Sequence, residues 1–133
     1  MLRFPMRRLL FPTVIAVAIA GAAHAERHVL DPSKVVAPRV SGKAAIGKMS
    51  YDLRCAECHG TNGVGTEKGP PFLNRYYHPG HHGDAAFFRA VRQGVRAHHW
   101  NFGAMKPLPE VNDAQIANIV EYVRELQRAN GLF

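Results

Sequence analysis

Five consecutive residues carry the chemistry most visible in this chain: Cys55-Ala56-Glu57-Cys58-His59. Two thiols separated by two residues share one turn of backbone, where both can reach the two vinyl groups on one edge of a haem. The adjacent imidazole can then swing under the iron as a neutral nitrogen ligand. This spacing is the general attachment signature of a c-type haem. Other chemistries also use paired cysteines. A zinc site needs about four ligands, and a chain with 2 cysteines would have to recruit distant histidines. A thioredoxin-like redox pair needs a βαβ context, and no run here alternates with period two. A disulfide, which two lone cysteines invite in an oxidising compartment, would leave His59 without a part.

A second axial ligand has to come from elsewhere. Met105 lies in Asn101-Phe102-Gly103-Ala104-Met105-Lys106-Pro107, a loop stiffened by proline. A thioether paired with histidine raises the reduction potential, because soft sulfur favours ferrous iron. Met49 stands six residues before Cys55, on a helical stretch that does not reach the other haem face. An isolated methionine ordinarily packs in a core; its loop position favours Met105 as a ligand. His98 or His99 in its place would give a lower potential. The groups Tyr76-Tyr77-His78-Pro79-Gly80-His81-His82 and His98-His99-Trp100 are dense in imidazole, and His28 lies further upstream. They read either as solvated histidines and donors to haem propionates, or as a second metal site, since paired imidazoles suit copper or zinc. The indole N–H of Trp100 suits a propionate, and its ring suits packing.

These groups need elements to hold them. The sequence predicts a first helix over 41–54, with Ser41 as N-cap and a loose apolar set of Ile46, Met49, Tyr51 and Leu53. Gly47 within it costs about 1 kcal/mol of propensity relative to Ala, which points to close packing. Residues 60–82 read as an irregular loop. Asp84 should cap a short helix through Phe87, Phe88 and Val91, stopped by Gly94. Residues 95–111 form another loop, kept irregular by Pro107 and Pro109. The clearest helix is the last. Asn112 and Gln115 form a capping box, Ile116, Ile119, Val120, Val123 and Leu126 follow a helical rhythm, and Gly131 ends it. No sheet is predicted.

The chain has 133 residues, enough for one domain. At its start, Arg3, Arg7 and Arg8 precede the apolar run 9–20, and Ala23-His24-Ala25 supplies small residues before Glu26. This organisation predicts a secretory signal peptide over 1–25 and a periplasmic mature protein. The apolar run is shorter than the roughly 20 residues a spanning helix needs; an uncleaved anchor is the alternative and the one membrane association foreseen. Residues 26–40, with two prolines, read as an extended arm or linker, and 41–133 as the functional domain. The formal charge is +7. Removing a signal with three Arg and no acid leaves +4, and two haem propionates would lower that to about +2. No dense basic stripe suggests nucleic acid. A mild positive balance fits docking onto acidic protein surfaces, with Lys43, Lys48, Arg54, Arg89, Arg92 and Lys106 as candidates for the rim.

From about Ser41 to Arg128 the chain resembles a bacterial class I cytochrome c of the small monohaem type. The resemblance implies an all-α, cytochrome c-like fold: three to four helices with irregular loops wrapped around one covalently bound haem c. It implies Cys55, Cys58, His59 and Met105 as cofactor-binding residues, with His59 and Met105 on the iron. In that family the first and last helices cross through a glycine and an aromatic residue, matched here by Gly47 and Tyr51, facing Ile119 and Tyr122. Gly69-Pro70, or Pro71, matches the loop whose carbonyl accepts the Nδ1 proton of the proximal histidine. Many relatives have proline directly after the methionine, whereas Lys106 intervenes here. The function implied is that of a periplasmic electron carrier without substrate chemistry, passing single electrons from the haem edge near Cys55 and Cys58. Two alternatives stand beside it. One is a haem enzyme or sensor with an exchangeable sixth iron position. The other is a bis-His cytochrome subunit of a larger dehydrogenase or oxidase.

Overall fold

A computed structural model describes residues 29–133, so the expected signal peptide and the first residues of the arm lie outside the described residues. Four α-helices occur among the described residues: α1 (Gly42–Arg54), α2 (Ala56–His59), α3 (Asp84–Gln93) and α4 (Asp113–Ala129). Short 3₁₀ turns at Pro32–Lys34, Thr61–Gly63 and Arg75–Tyr77 punctuate the loops. No strand forms among the described residues; two isolated bridges, Thr66 with Gly69 and Val95 with Met105, are the only β pairings.

The helix α4 starts as its sequence predicts. The Asn112 side chain accepts from the Gln115 amide at 2.9 Å, and the Gln115 side chain accepts from the Asn112 amide at 3.0 Å. Two amide donors that no helical carbonyl can reach are thereby satisfied. Its apolar stripe is buried from Ile116 to Leu126.

That stripe meets α1 at a glycine. A Cβ on Gly47 would stand 1.8 Å from the carbonyl oxygen of Asn118, so any side chain there would force the helices apart. One turn along, the rings of Tyr51 and Tyr122 pack at 5.2 Å, both fully buried. Tyr51 donates to the Gly60 carbonyl at 2.7 Å and Tyr122 to the Asn62 side chain at 3.0 Å. Burial pushes the Tyr122 hydroxyl up to about 12 and Tyr51 higher still, so both remain neutral donors.

The close approach divides the apolar set expected on α1: Tyr51 is buried as expected, and the other three are not. Its buried residues are Ala44, Gly47 and Tyr51, spaced at i, i+3 and i+7. Ile46, Met49 and Leu53 instead turn outward, 53%, 68% and 79% exposed. With backbone against backbone at Gly47, no room remains on that side for large aliphatic chains. Two caps also differ from expectation. Ser41 occupies the N-cap position of α1 without a side-chain capping bond. Gly83 is the N-cap of α3, and Asp84 is its first helical residue. The Asp84 carboxylate serves a longer-range partner, accepting from Arg124 Nε at 2.8 Å.

Residues 29–40 lie against the helices. Leu30 donates to the Val64 carbonyl at 2.8 Å. The backbone of Val36 exchanges two hydrogen bonds with the Asn130 side chain, both 2.8 Å, just beyond the end of α4. Val35 and Val40 pack on the core.

Candidate haem-binding site

The cysteine pair sits where α1 turns into α2. Cys55 closes α1 by donating to the Tyr51 carbonyl at 2.8 Å, and its own carbonyl receives His59 N–H at 2.9 Å. The single turn of α2 is then gripped by the loop that follows. Gly65 N–H donates to the His59 carbonyl at 2.8 Å, and Thr66 Oγ1 to the Cys58 carbonyl at 2.6 Å. Gly69 lies so close that an added Cβ would be 2.9 Å from the Cys58 oxygen. The two cysteines form no disulfide with each other; Cys55 is half-buried and Cys58 exposed. Burial, with a smaller contribution from Cys58, pushes the Cys55 thiol up to about 11, so it stays protonated at neutral pH.

His59 is buried, with its ring stacked on Phe72 at 4.2 Å and 19°. Its Nδ1 lies 2.9 Å from the Pro70 carbonyl oxygen. A carbonyl can only accept, so Nδ1 carries the proton and Nε2 keeps its lone pair. Pro70, of the two prolines considered, provides this contact. Burial holds the imidazole below the usual histidine range, while the Pro70 bond pulls less strongly the other way. The ring is therefore neutral and oriented, as a metal ligand must be.

A cavity of about 420 Å³ opens beside these residues. Phe87 and Val91 of α3, Ile116, Ile119 and Val120 of α4, and Phe72 give it largely apolar walls. Met105 borders the same cavity, whereas Met49 lies exposed on α1 and takes no part in it. The Met105 backbone is pinned in both directions, donating to the Val95 carbonyl at 2.8 Å and accepting from Val95 N–H at 3.0 Å. Gly94 makes the bridge possible. Its φ is +75° and ψ −178°, and a Cβ there would be 2.5 Å from the Met105 oxygen. This residue is more than the helix stop read from the sequence: it seats the loop that carries the thioether.

The histidine groups divide. His82, His98 and His99 border the cavity with Trp100, while His78 and His81 do not. Trp100 stacks over Tyr77 at 6.0 Å and 9°. Among the basic residues considered for a rim, Arg54 and Lys106 border the cavity. Lys48 is paired with Asp52 and Arg92 with Asp113.

One set of positioning residues escapes a sequence reading. Arg124 and Gln127 are buried at 5% and 0% exposure. Besides Asp84, the Arg124 guanidinium donates to the carbonyls of Tyr77 and His82, each at 2.7 Å, and to the Gln127 side chain at 2.7 Å. Gln127 in turn donates to the Phe72 carbonyl at 2.9 Å. Together they fasten the 72–82 loop, one wall of the cavity, to α4. The detectable signal was placement: both residues fall one turn beyond apolar members of the α4 stripe.

The donor set fits a haem. Two cysteines, an oriented neutral imidazole and a thioether meet at an apolar cavity, which suits a flat hydrophobic ring whose iron takes nitrogen and sulfur ligands. No curated protein and no solved structure matches the chain. A sequence model of one family, cytochrome c, matches residues 44–127, a span that begins on α1 and ends on α4 and encloses every residue of this cavity. The chain therefore belongs to the cytochrome c family and carries haem c bound through its polypeptide, as that membership implies.

Proposed function

We propose that this protein is a periplasmic electron carrier whose iron is held by His59 and Met105, with Cys55 and Cys58 as the thioether anchors. When bound, the haem supplies a one-electron iron couple. The chain's contribution is to hold both axial donors still, so that little rearranges between oxidation states. Pro70 fixes the His59 ring through Nδ1, and Val95 fixes the Met105 backbone from both sides. The observation that carries the reading is this double bridge at Met105, in a loop bordering the cavity that His59 also borders. Apolar walls exclude water from the ligands and favour the less charged state of the site.

Periplasmic location rests on the signal-like segment 1–25, with its three arginines and apolar run. Partners are proteins with acidic docking surfaces, attracted to Arg54 and Lys106 at the cavity edge. Screening limits such steering to about 8 Å at physiological ionic strength. Bimolecular electron-transfer rates that stay flat from low to high salt would reject this kind of partner.

A second reading draws on His98 and His99, which border the same cavity and could serve as the distal donor. Carbon monoxide separates a closed iron from an open one. The ferrous wild-type holoprotein should keep its visible spectrum under carbon monoxide. A spectral change within mixing would reveal an exchangeable sixth position and favour the enzyme or sensor reading instead.

A further inference from the structure

His81, His82 and His99 come together outside the proposed ligand set. One ring nitrogen from each can be chosen so that all lie within 4.8 Å of one another. Two segments build the cluster. The turn from His78 to His82 is closed by His81 and His82 amides donating to the His78 carbonyl, at 2.8 and 3.0 Å. It is tied to α4 by Arg124, which donates to the His82 carbonyl at 2.7 Å. His99 is brought to that turn by stacking on Tyr76, with ring centres 4.0 Å apart at 11°.

The spacing suits a metal ion. His81 Nε2 and His99 Nε2 are 3.3 Å apart. Two imidazole nitrogens bound at about 2.05 Å to one tetrahedral ion stand about 3.3 Å apart. His82 Nδ1 contacts the Tyr76 carbonyl, which requires Nδ1 to donate and leaves Nε2 to coordinate. A histidine whose second nitrogen is held by a backbone carbonyl is the common outer arrangement of metal-bound imidazole. The three donors are all imidazole and include no carboxylate. That selects zinc or copper(II) over magnesium and calcium, which take oxygen ligands.

We propose that His81, His82 and His99 bind one borderline divalent cation, zinc or copper(II), which clamps the 76–82 turn to the segment leading into Met105. A water, or His98 with its ring 4.3 Å from that of His99, completes the coordination. His82 and His99 also border the haem cavity, whereas His81 does not. His81 is therefore the residue that separates cation binding from any effect on haem ligation.

The test uses metal-stripped holoprotein dialysed against micromolar free zinc. Wild type should retain one zinc per chain in addition to iron, and its melting temperature should rise with zinc and not with calcium. His81→Ala should lower zinc affinity by at least the roughly 10–100-fold that outer-shell changes already cost. Its haem spectrum, and its melting temperature without zinc, should match wild type. Copper(II) should release that zinc one for one, because an all-imidazole site binds copper(II) more tightly than zinc; zinc that resists displacement would contradict the imidazole donor set. Wild type that takes up no zinc, or His81→Ala with undiminished affinity, would overturn the site.

Discussion

The two sides of the cavity are built by different means. On the His59 side, the cysteines, the imidazole and their supports fall within 55–72, and each carbonyl of Cys55, Cys58 and His59 receives a local hydrogen bond. The glycines that grip this side, Gly60 and Gly69, have backbone neighbours so near that a Cβ would meet them at 2.6 and 2.9 Å. On the Met105 side, one pair of backbone hydrogen bonds to Val95 closes an excursion of nine residues, 96–104. His59 is buried and Met105 only half-buried. The side with the cysteines and His59 is therefore secured by many hydrogen bonds, and the side with Met105 by fewer, the Val95 pair and Leu108 N–H donating to the Val91 carbonyl at 2.8 Å. With Met105 as the proposed distal ligand, a protein built this way should lose its methionine bond well before it loses its haem.

The largest effect expected is at the anchors. In the double variant Cys55→Ser, Cys58→Ser, acid-organic extraction should carry the pigment into the organic phase, while wild type keeps it on the polypeptide. Pigment that leaves wild type as well would mean that these thiols do not attach it.

Next comes the helix crossing on which the His59 side rests, since Tyr51 reaches from α1 to the Gly60 carbonyl. Gly47→Val places carbon where the Asn118 oxygen already stands, 1.8 Å away. The cost should be about 3 kcal/mol, the upper end for overpacking. That corresponds to a fall in melting temperature of roughly 12 °C or more. A melting temperature equal to wild type would reject the contact.

Gly94→Ala should act on the other side and more mildly. The backbone there lies in a region open essentially to glycine alone, at about 1–3 kcal/mol for other residues. We expect a smaller loss of stability than for Gly47→Val and a weakened ferric methionine signature, with covalent attachment intact. Equal loss of attachment and signature would erase the distinction between the two sides.

What could be read from the sequence follows the same division. The motif 55–59 is contiguous, so its chemistry is visible without a fold. The Asn112–Gln115 box is equally local, and α4 obeys it. The outward turn of Ile46, Met49 and Leu53 was not legible, because it depends on which face of α1 the backbone contact at Gly47 claims. Asp84 and Ser41 have capping side chains by type; Asp84 is instead drawn to Arg124, forty residues away. Arg124 and Gln127 resemble a solvated face until the carbonyls of 72–82 are brought beneath them. The nearness of His81 to His99 likewise depends on two loops meeting, and neither loop has a periodicity to announce it.

The distal ligand is the point on which the electron-carrier reading turns, and one comparison addresses it. Ferric wild type and Met105→Ala holoproteins should be recorded in the far red and titrated for reduction potential. Wild type should show the weak charge-transfer band of iron bonded to thioether sulfur. Met105→Ala should lose that band, and its potential should fall, because a harder ligand or water stabilises ferric iron. His98→Ala and His99→Ala should leave both signals unchanged. A Met105→Ala protein with the wild-type band and potential, or loss of those signals on replacing His98 or His99 alone, would contradict the assignment.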